Sequence, residues 1–181
     1  MPPELAQPWR AFLDDIDAHL TEDVTLHCLG GFVVTAVYGM PRTTADVDVL
    51  WMAGADALNR LLSVAGKTSR LHEKHGLYVD IVTVAECPVD YEERLTKVAL
   101  GTWRNLRVFA LDPYDLALAK LQRNLQRDRD DVMHLARAAA LSVDVLRNRY
   151  ETELRPYIGR PEREDLTLEL WLDMIQESRG R

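Results

Sequence analysis

Two aspartates stand two positions apart in a stretch that alternates like a β-strand. In ADVDVL, Asp46 and Asp48 alternate with Val47 and Val49, so a strand would place both carboxylates on one face and both valines on the other. Two negative charges this close repel each other and lose hydration on burial unless a cation compensates them. Because Mg²⁺ binds through one or two carboxylates together with substrate phosphates, the pair predicts a Mg²⁺ or Mn²⁺ site. A solvated edge strand is the alternative.

A third carboxylate interrupts the apolar run LYVDIVTV further along the chain. Asp80 lies between Val79 and Ile81, which predicts a buried acid on a strand. If this strand neighbours the first, Asp80 would complete a three-acid metal site with Asp46 and Asp48, as metal-assisted phosphoryl transfer requires. A structural acid that accepts hydrogen bonds from neighbouring backbone groups is an equally good interpretation of Asp80.

A glycine pair precedes the acids. Gly30 and Gly31 follow the β-rich run 24–29 and precede FVVTAVYG, which is long enough for a short helix. Glycine lets backbone N–H groups approach a phosphate closely, and a helix N-terminus favours an anion. Glycine pairs also occur in ordinary turns, so their combination with the acids is what predicts a nucleotide site. Arg42, just before the acid pair, could bind a phosphate through two hydrogen bonds or pair with one of the acids.

The elements that must position these residues follow from the periodicity of apolar side chains. Helical spacing predicts helices over residues 8–20 and 55–65, and β-rich runs predict strands over 24–29, 46–51 and 106–110. Residues 70–84 predict a hairpin that turns at His75-Gly76. From Pro113 onward four helices are predicted, over residues 113–125, 129–141, 142–154 and 165–175.

This order predicts an α/β (α+β) fold in two parts. Residues 1–110 would form a small mixed β-sheet core with helices, and residues 111–181 an all-α C-terminal part packed on it. In the second part, Lys120 lies on an amphipathic helix, where a lysine usually extends its amine into solvent. The segment RDRDDV could be a simple helix start with Asp128 as its N-cap.

Length and composition restrict the class of protein. The chain has 181 residues, of which 47% are apolar and 28% charged, as in a folded globular protein. A net charge of -7 argues against a nonspecific nucleic-acid coat, because Lys and Arg drive phosphate binding, but it leaves room for a local basic site. No leader and no membrane span are expected. Cys28 and Cys87 lack a metal-site partner at suitable spacing, which predicts reduced thiols in a cytoplasmic protein.

The order Gly30-Gly31, helix, Asp46-Val47-Asp48 and later Val79-Asp80-Ile81 resembles the nucleotidyltransferase superfamily with its polymerase-β-like core. The longer sequence, GG followed by YGMPRTTADVDVLW, is similar to sequences of the branch that contains the bacterial AbiEii and MenT toxins. LALAKLQRN followed by RDRDDV is similar to the helical lysine and Arg-Asp-x-x-Asp segment of that branch. The resemblance spans residues 26–135.

The resemblance implies a metal-dependent enzyme that moves NMP from an NTP to an acceptor hydroxyl on tRNA or a protein, as the toxin of a toxin–antitoxin pair. A catalytically silent nucleotide-binding or protein-interaction module of the same fold is the alternative. Gly31 departs from the serine that the superfamily more often has, so one phosphate contact must come from backbone. The resemblance implies three metal ligands, Asp46, Asp48 and Asp80, and a nucleotide site of Gly30, Gly31, Arg42, Lys120 and Asp131. Of these, the catalytic residues would be Asp46, Asp48, Asp80 and Lys120.

Overall fold

The computed structural model describes residues 5–50, 55–83, 87–99 and 103–180. The chain forms two units. The first comprises Met1–Val84 and Leu95–Leu111, and the second comprises Ala85–Arg94 and Asp112–Arg181. Residues 85–94 thus belong to the second unit, although in the chain they lie between strands of the first. Trp51 and Val84, the predicted ends of two strands, lie outside the described residues.

The first unit is a mixed sheet with helices, which confirms the predicted α/β fold. Its elements are α1 (Trp9–His19), β1 (Val24–Leu29), α2 (Gly30–Phe32), β2 (Asp46–Leu50), α3 (Ala55–Ala65), α4 (Arg70–His75), β3 (Tyr78–Val82), β4 (Thr96–Lys97) and β5 (Leu106–Ala110). A π-helical turn, Val33–Val37, continues α2. The strand order is β3-β2-β1-β5-β4, with β2 parallel to β3, β1 parallel to β5, and the β1–β2 and β4–β5 pairs antiparallel.

One face of this sheet carries the core. Val47 and Val49 of β2 are fully buried, and so are Leu26 and Cys28 of β1. Helices α1, α3 and α4 pack against one another, and their buried apolar side chains include Phe12, Leu13, Ile16, Leu61 and Leu71. Because side chains alternate along a strand, burial of the valines turns the even-numbered residues of β2 to the other face. The alternating pattern predicted by the sequence is therefore confirmed.

The hairpin predicted over residues 70–84 is wrong, because its first arm is helix α4. Ser69 caps this helix by accepting a hydrogen bond from the N–H of His72 at 3.1 Å. Gly76 ends it in the left-handed conformation, at φ +68°. These two caps satisfy the end groups of a six-residue helix. Strand β3 then pairs with β2 in parallel, and residues 70–75 contribute no strand to a hairpin.

The second unit is helical in its described part. Its elements are a 3₁₀ turn (Tyr91–Arg94), α5 (Pro113–Leu118), α6 (Gln126–Ala138), α7 (Val143–Arg149), a π-helical continuation (Tyr150–Leu154), a second 3₁₀ turn (Arg155–Tyr157) and α8 (Glu162–Arg179). The first predicted helix is too long, since α5 ends at Leu118. Turn structure follows, and Asn124 has a left-handed φ of +44°, which asparagine tolerates and a continuing helix does not.

A buried carboxylate joins the segments of the second unit. Asp115 has no solvent exposure and accepts two hydrogen bonds from Arg94, at 2.9 and 3.1 Å, and one from Arg149 at 3.0 Å. Arg94 also donates to Glu153 at 2.6 Å. This network connects the 3₁₀ turn at residues 91–94 to α5 and α7, and it supplies the paired charges that a buried carboxylate requires.

In the described part of the chain, no helix is long and apolar enough to cross a membrane.

Candidate active site

The predicted acids lie on two neighbouring strands. Asp48 of β2 is paired in register with Asp80 of β3, and Asp46 is paired with Tyr78. On its other side, Asp48 stands opposite Leu29, the last residue of β1. Residues paired in register point to the same face of a sheet, so the three carboxylates share the face opposite the buried valines. The structure thus places Asp46, Asp48 and Asp80 on one face of two neighbouring strands.

Asp80 differs from its prediction in one respect, since it is exposed rather than buried. Strand β3 is an outer strand in the order of the described sheet, so neighbouring side chains cover it from one side only. The apolar residues around Asp80 suggested burial, but only Val79 among the residues of β3 is buried. Asp46 and Asp48 are both half-buried. The three acids therefore differ in their access to solvent.

The negative charge of these acids contributes to raised pKa values of two neighbouring side chains. The pKa of the Tyr78 phenol is raised by burial and then by the charges of Asp46, Asp80 and Asp48. The pKa of the Cys28 thiol is raised by burial and secondarily by Asp48. Both groups are consequently neutral near pH 7, and Tyr78 can donate a hydrogen bond at the edge of the acid face.

Gly30 places the backbone of the turn directly against Asp48. Its φ is +67°, in the left-handed region that side chains disfavour. A Cβ at this position would lie 1.8 Å from Oδ2 of Asp48, so any side chain there would displace the carboxylate. Glycine is therefore required here for two separate reasons. The predicted phosphate-binding turn and the predicted acid pair are in contact.

Gly31 lies against the polar connection that precedes the acids. A Cβ on Gly31 would lie 3.0 Å from Oγ1 of Thr44 and 3.1 Å from Nη2 of Arg42. The guanidinium of Arg42 is therefore beside the turn, where an anion held by the backbone of Gly30 and Gly31 would meet it. The phosphate contact of Arg42 stays a prediction, and Thr44 joins the residues beside the turn.

Thr44 and Tyr78 belong to this site although the sequence analysis did not select them. The hydroxyl of Thr44 donates a hydrogen bond to Oδ1 of Asp46. Arg42, Thr44, Asp46 and Asp48 are spaced by two residues, which is the signal that could have identified Thr44. No comparable signal marked Tyr78, because its position depends on the register between β2 and β3.

Lys120 and Asp131 lie in the second unit, where they form a buried ion pair. Nζ of Lys120 donates to Oδ2 of Asp131 at 2.8 Å, and the side chains are 5% and 0% exposed. Oδ1 of Asp128 lies 3.8 Å from the same ammonium. Lys120 therefore does not extend into solvent as a surface lysine would. The two opposite charges are buried as a pair, because a single buried charge without compensation would be strongly destabilising.

Asp128 is not the N-cap of its helix, since α6 begins two residues earlier, at Gln126. Its carboxylate accepts a hydrogen bond from the N–H of Leu125 at 3.0 Å and two from Arg123, at 2.9 and 2.6 Å. Although burial opposes its ionisation, Arg123 and the Leu125 N–H lower the pKa of Asp128. A carboxylate in the first turn can bond backward to the residue before the helix, and this satisfies the N–H of Leu125.

The acid face offers ligands of the kind that Mg²⁺ prefers. Among the described residues, no group of three or more His, Cys, Asp or Glu side chains is placed to hold a metal ion by itself. Asp46 and Asp48 present hard carboxylate oxygens on one face, beside a glycine turn that can accept phosphates. A pair of carboxylates completed by substrate phosphates is an ordinary Mg²⁺ site. The residues present fit a cation that arrives with a triphosphate.

Comparison with known proteins gives one finding. The family model described as "Nucleotidyltransferase of unknown function (DUF6036)" matches residues 12–179. Neither the comparison with curated proteins nor the comparison with solved structures returns a match. The matched range includes the glycine turn, the three acids, and the buried pair of the second unit.

Proposed function

The chain belongs to the nucleotidyltransferase family described as DUF6036, and from this premise we propose that it transfers NMP from an NTP to an acceptor hydroxyl with the help of Mg²⁺ or Mn²⁺. One observation carries the proposal. The turn suited to phosphate, at Gly30, touches a carboxylate suited to a metal ion, Asp48. A nucleotide with its cation needs both features in one place.

Each residue of the site has a proposed task. Asp46 and Asp48 would hold the divalent cation, which supplies polarisation of the α-phosphate and neutralises the leaving pyrophosphate. The backbone of Gly30 and Gly31 would bind phosphate oxygens, and the Arg42 guanidinium beside them would add a charged hydrogen bond. These groups bind and orient the triphosphate before any bond changes.

The reaction is an in-line displacement at phosphorus. The acceptor oxygen forms a bond to the α-phosphorus, and the bond from that phosphorus to the bridging oxygen of the β-phosphate breaks, which releases pyrophosphate. The acceptor hydroxyl loses its proton, and Asp80 is the proposed base. Its exposure leaves it open to an incoming hydroxyl, and its pairing with Asp48 places it beside the proposed cation ligands.

The finer assignment is also part of the proposal. The glycine, acid and lysine segments support placement in the branch that contains the AbiEii and MenT toxins. The acceptor would then be tRNA or a protein, and an antitoxin would be the partner. Lys120 and Asp131 are proposed to contact the nucleotide, as the resemblance of the lysine and Arg-Asp-x-x-Asp segment to that branch implies.

The test is transfer from NTP labelled at the α-phosphate. Wild type, Asp48→Asn and the control Asp173→Asn, an exposed acid of α8, are each incubated with Mg²⁺, each of the four NTPs, total tRNA and cell lysate. Label transfer by wild type and the control, and its loss in Asp48→Asn, supports the proposal. Absence of label transfer by wild type with every nucleotide refutes catalysis and favours the silent module, whereas equal transfer by all three proteins rejects the role of Asp48.

A further inference from the structure

Thr44 contacts both halves of the proposed site. Its hydroxyl oxygen, Oγ1, donates a hydrogen bond to Oδ1 of Asp46. A Cβ on Gly31 would lie 3.0 Å from the same Oγ1. The hydroxyl thus lies between the glycine turn and a proposed cation ligand. Position 44 is two residues before Asp46, the first residue of β2, and the hydrogen bond places its hydroxyl on the same side as the acid.

We propose that Thr44 is a positioning residue that fixes the Asp46 carboxylate for cation binding, an inference that rests on the proposed function. A carboxylate has two oxygens, and the Thr44 hydroxyl occupies Oδ1. In this proposal, Oδ2 would be the oxygen that binds the cation. Ligating carboxylates are commonly held by such hydrogen bonds, and their loss weakens metal affinity or activity by about 10- to 100-fold.

A threonine is well suited to this task for electrostatic reasons. A lysine or arginine bonded to Asp46 would cancel the negative charge that attracts the cation, whereas a neutral hydroxyl orients the carboxylate and leaves its charge intact. The branched side chain also has few χ1 rotamers, so it loses little entropy when the bond forms. The Thr44 hydroxyl also lies close to Gly31, since a Cβ on Gly31 would be 3.0 Å from Oγ1 of Thr44, and this proximity restricts the threonine side chain further.

The test uses a probe that needs neither turnover nor knowledge of the base. Mn²⁺–tripolyphosphate is titrated against each protein, with binding followed by water proton relaxation. Thr44→Val keeps the branched shape and removes the hydroxyl, whereas Thr44→Ser keeps the hydroxyl. Thr25→Val, at an exposed position of β1, is the control. Asp48→Asn marks loss of the cation site itself.

The expected order of affinities identifies the hydroxyl. Wild type, Thr44→Ser and Thr25→Val should bind within about 2-fold of one another, Thr44→Val about 10-fold more weakly, and Asp48→Asn not measurably. Circular dichroism and thermal melts establish that each variant is folded. In transfer assays, Thr44→Val should raise the Mg²⁺ concentration needed for half-maximal rate more than it lowers the maximal rate.

Other outcomes overturn the inference, and they separate it from the proposed function. Wild-type affinity in Thr44→Val, together with loss in Asp48→Asn, rejects the role of Thr44 and leaves the proposed cation site standing. Equal weakening in Thr44→Ser and Thr44→Val shows that packing rather than the hydroxyl matters, which also rejects it. If wild type does not bind the probe, both the cation site and the role of Thr44 are refuted.

Discussion

Gly30 and the carboxylate of Asp48 are in direct contact, since a Cβ on Gly30 would lie 1.8 Å from Oδ2 of Asp48. The contact joins the end of β1 to the middle of β2 across the antiparallel pair of strands. Because a Cβ at residue 30 would occupy the place of the carboxylate, the position of the acid depends on the absence of a side chain there. This dependence can be tested separately from the backbone conformation of the glycine.

Gly30→Ala should abolish most of the proposed activity. The alanine methyl would collide with the carboxylate and push it from the cation position, and we expect at least an approximately 100-fold loss, as misplacement of about 1 Å can cause. The left-handed backbone adds about 1–2 kcal/mol of destabilisation. Label transfer from NTP and a thermal melt measure the two effects.

Gly39 provides the matched control for this substitution. Its φ is +73°, close to that of Gly30, but a Cβ there would meet no atom within 4 Å. Gly39→Ala should therefore lower stability by a similar amount, about 1–2 kcal/mol, while transfer stays within about 3-fold of wild type. Equal loss of transfer in both variants would show that backbone strain, and not contact with Asp48, explains the effect.

Asp80→Asn should lower the maximal transfer rate by about 100-fold without weakening Mn²⁺–tripolyphosphate binding. Loss of a general base typically costs 10²- to 10⁴-fold, and the exposure of Asp80 places this case at the lower end. Asp56→Asn, on the exposed side of α3, should leave both measurements unchanged. A variant of Asp80 that loses probe affinity would instead identify this residue as a third cation ligand.

The strands near the site could be predicted because their side chains alternate strictly. Val47 and Val49 are buried and the aspartates beside them are not, so the face carrying the acids followed from the sequence. Local signals were also present for α4, in Ser69 and Gly76, but the apolar run after them suggested a hairpin. Cap residues predict the ends of a helix only when the segment between them is itself recognised as helical.

The register between strands could not be predicted from one sequence. That Asp48 lies opposite Asp80, and Asp46 opposite Tyr78, depends on how two distant segments pair. The same pairing puts Asp80 on an outer strand, where an apolar neighbourhood in sequence does not mean burial in space. The contact between Thr44 and Gly31 likewise requires tertiary structure, since thirteen positions of chain separate these residues.

Asp17→Asn should destabilise the first unit in a manner that depends on pH. The Asp17 carboxylate accepts hydrogen bonds from the N–H groups that lead into β5, those of Arg104 at 3.0 Å, Asn105 at 2.7 Å and Leu106 at 2.8 Å. Burial opposes ionisation, but these three bonds lower the pKa of Asp17 below its ordinary 3.8. Its stabilising effect is thus complete above the ordinary pKa and is lost as pH falls through the lowered value.

Urea unfolding near pH 7 and near pH 3 measures this effect. Near pH 7 the variant should be less stable than wild type by about 1–3 kcal/mol, and the difference should shrink near pH 3. Asp23→Asn, an exposed acid just before β1, should match wild type at both values. A difference that stays constant with pH would mean that the charge of Asp17 is not what stabilises the start of β5.

Lys120→Met should destabilise the second unit strongly, because it removes the ammonium that compensates the buried Asp131 carboxylate. Removing one member of a buried pair costs about 3–5 kcal/mol, whereas replacing both by apolar residues is often nearly neutral. The double variant Lys120→Met/Asp131→Leu should therefore recover most of the free energy of unfolding, as urea titration will measure. If Lys120 also contacts the triphosphate, the stable double variant should still have a KM for NTP raised about 10- to 100-fold, the value of a charged hydrogen bond. Recovery of both stability and KM would restrict Lys120 to a structural role, because an apolar pair would then replace everything the lysine does.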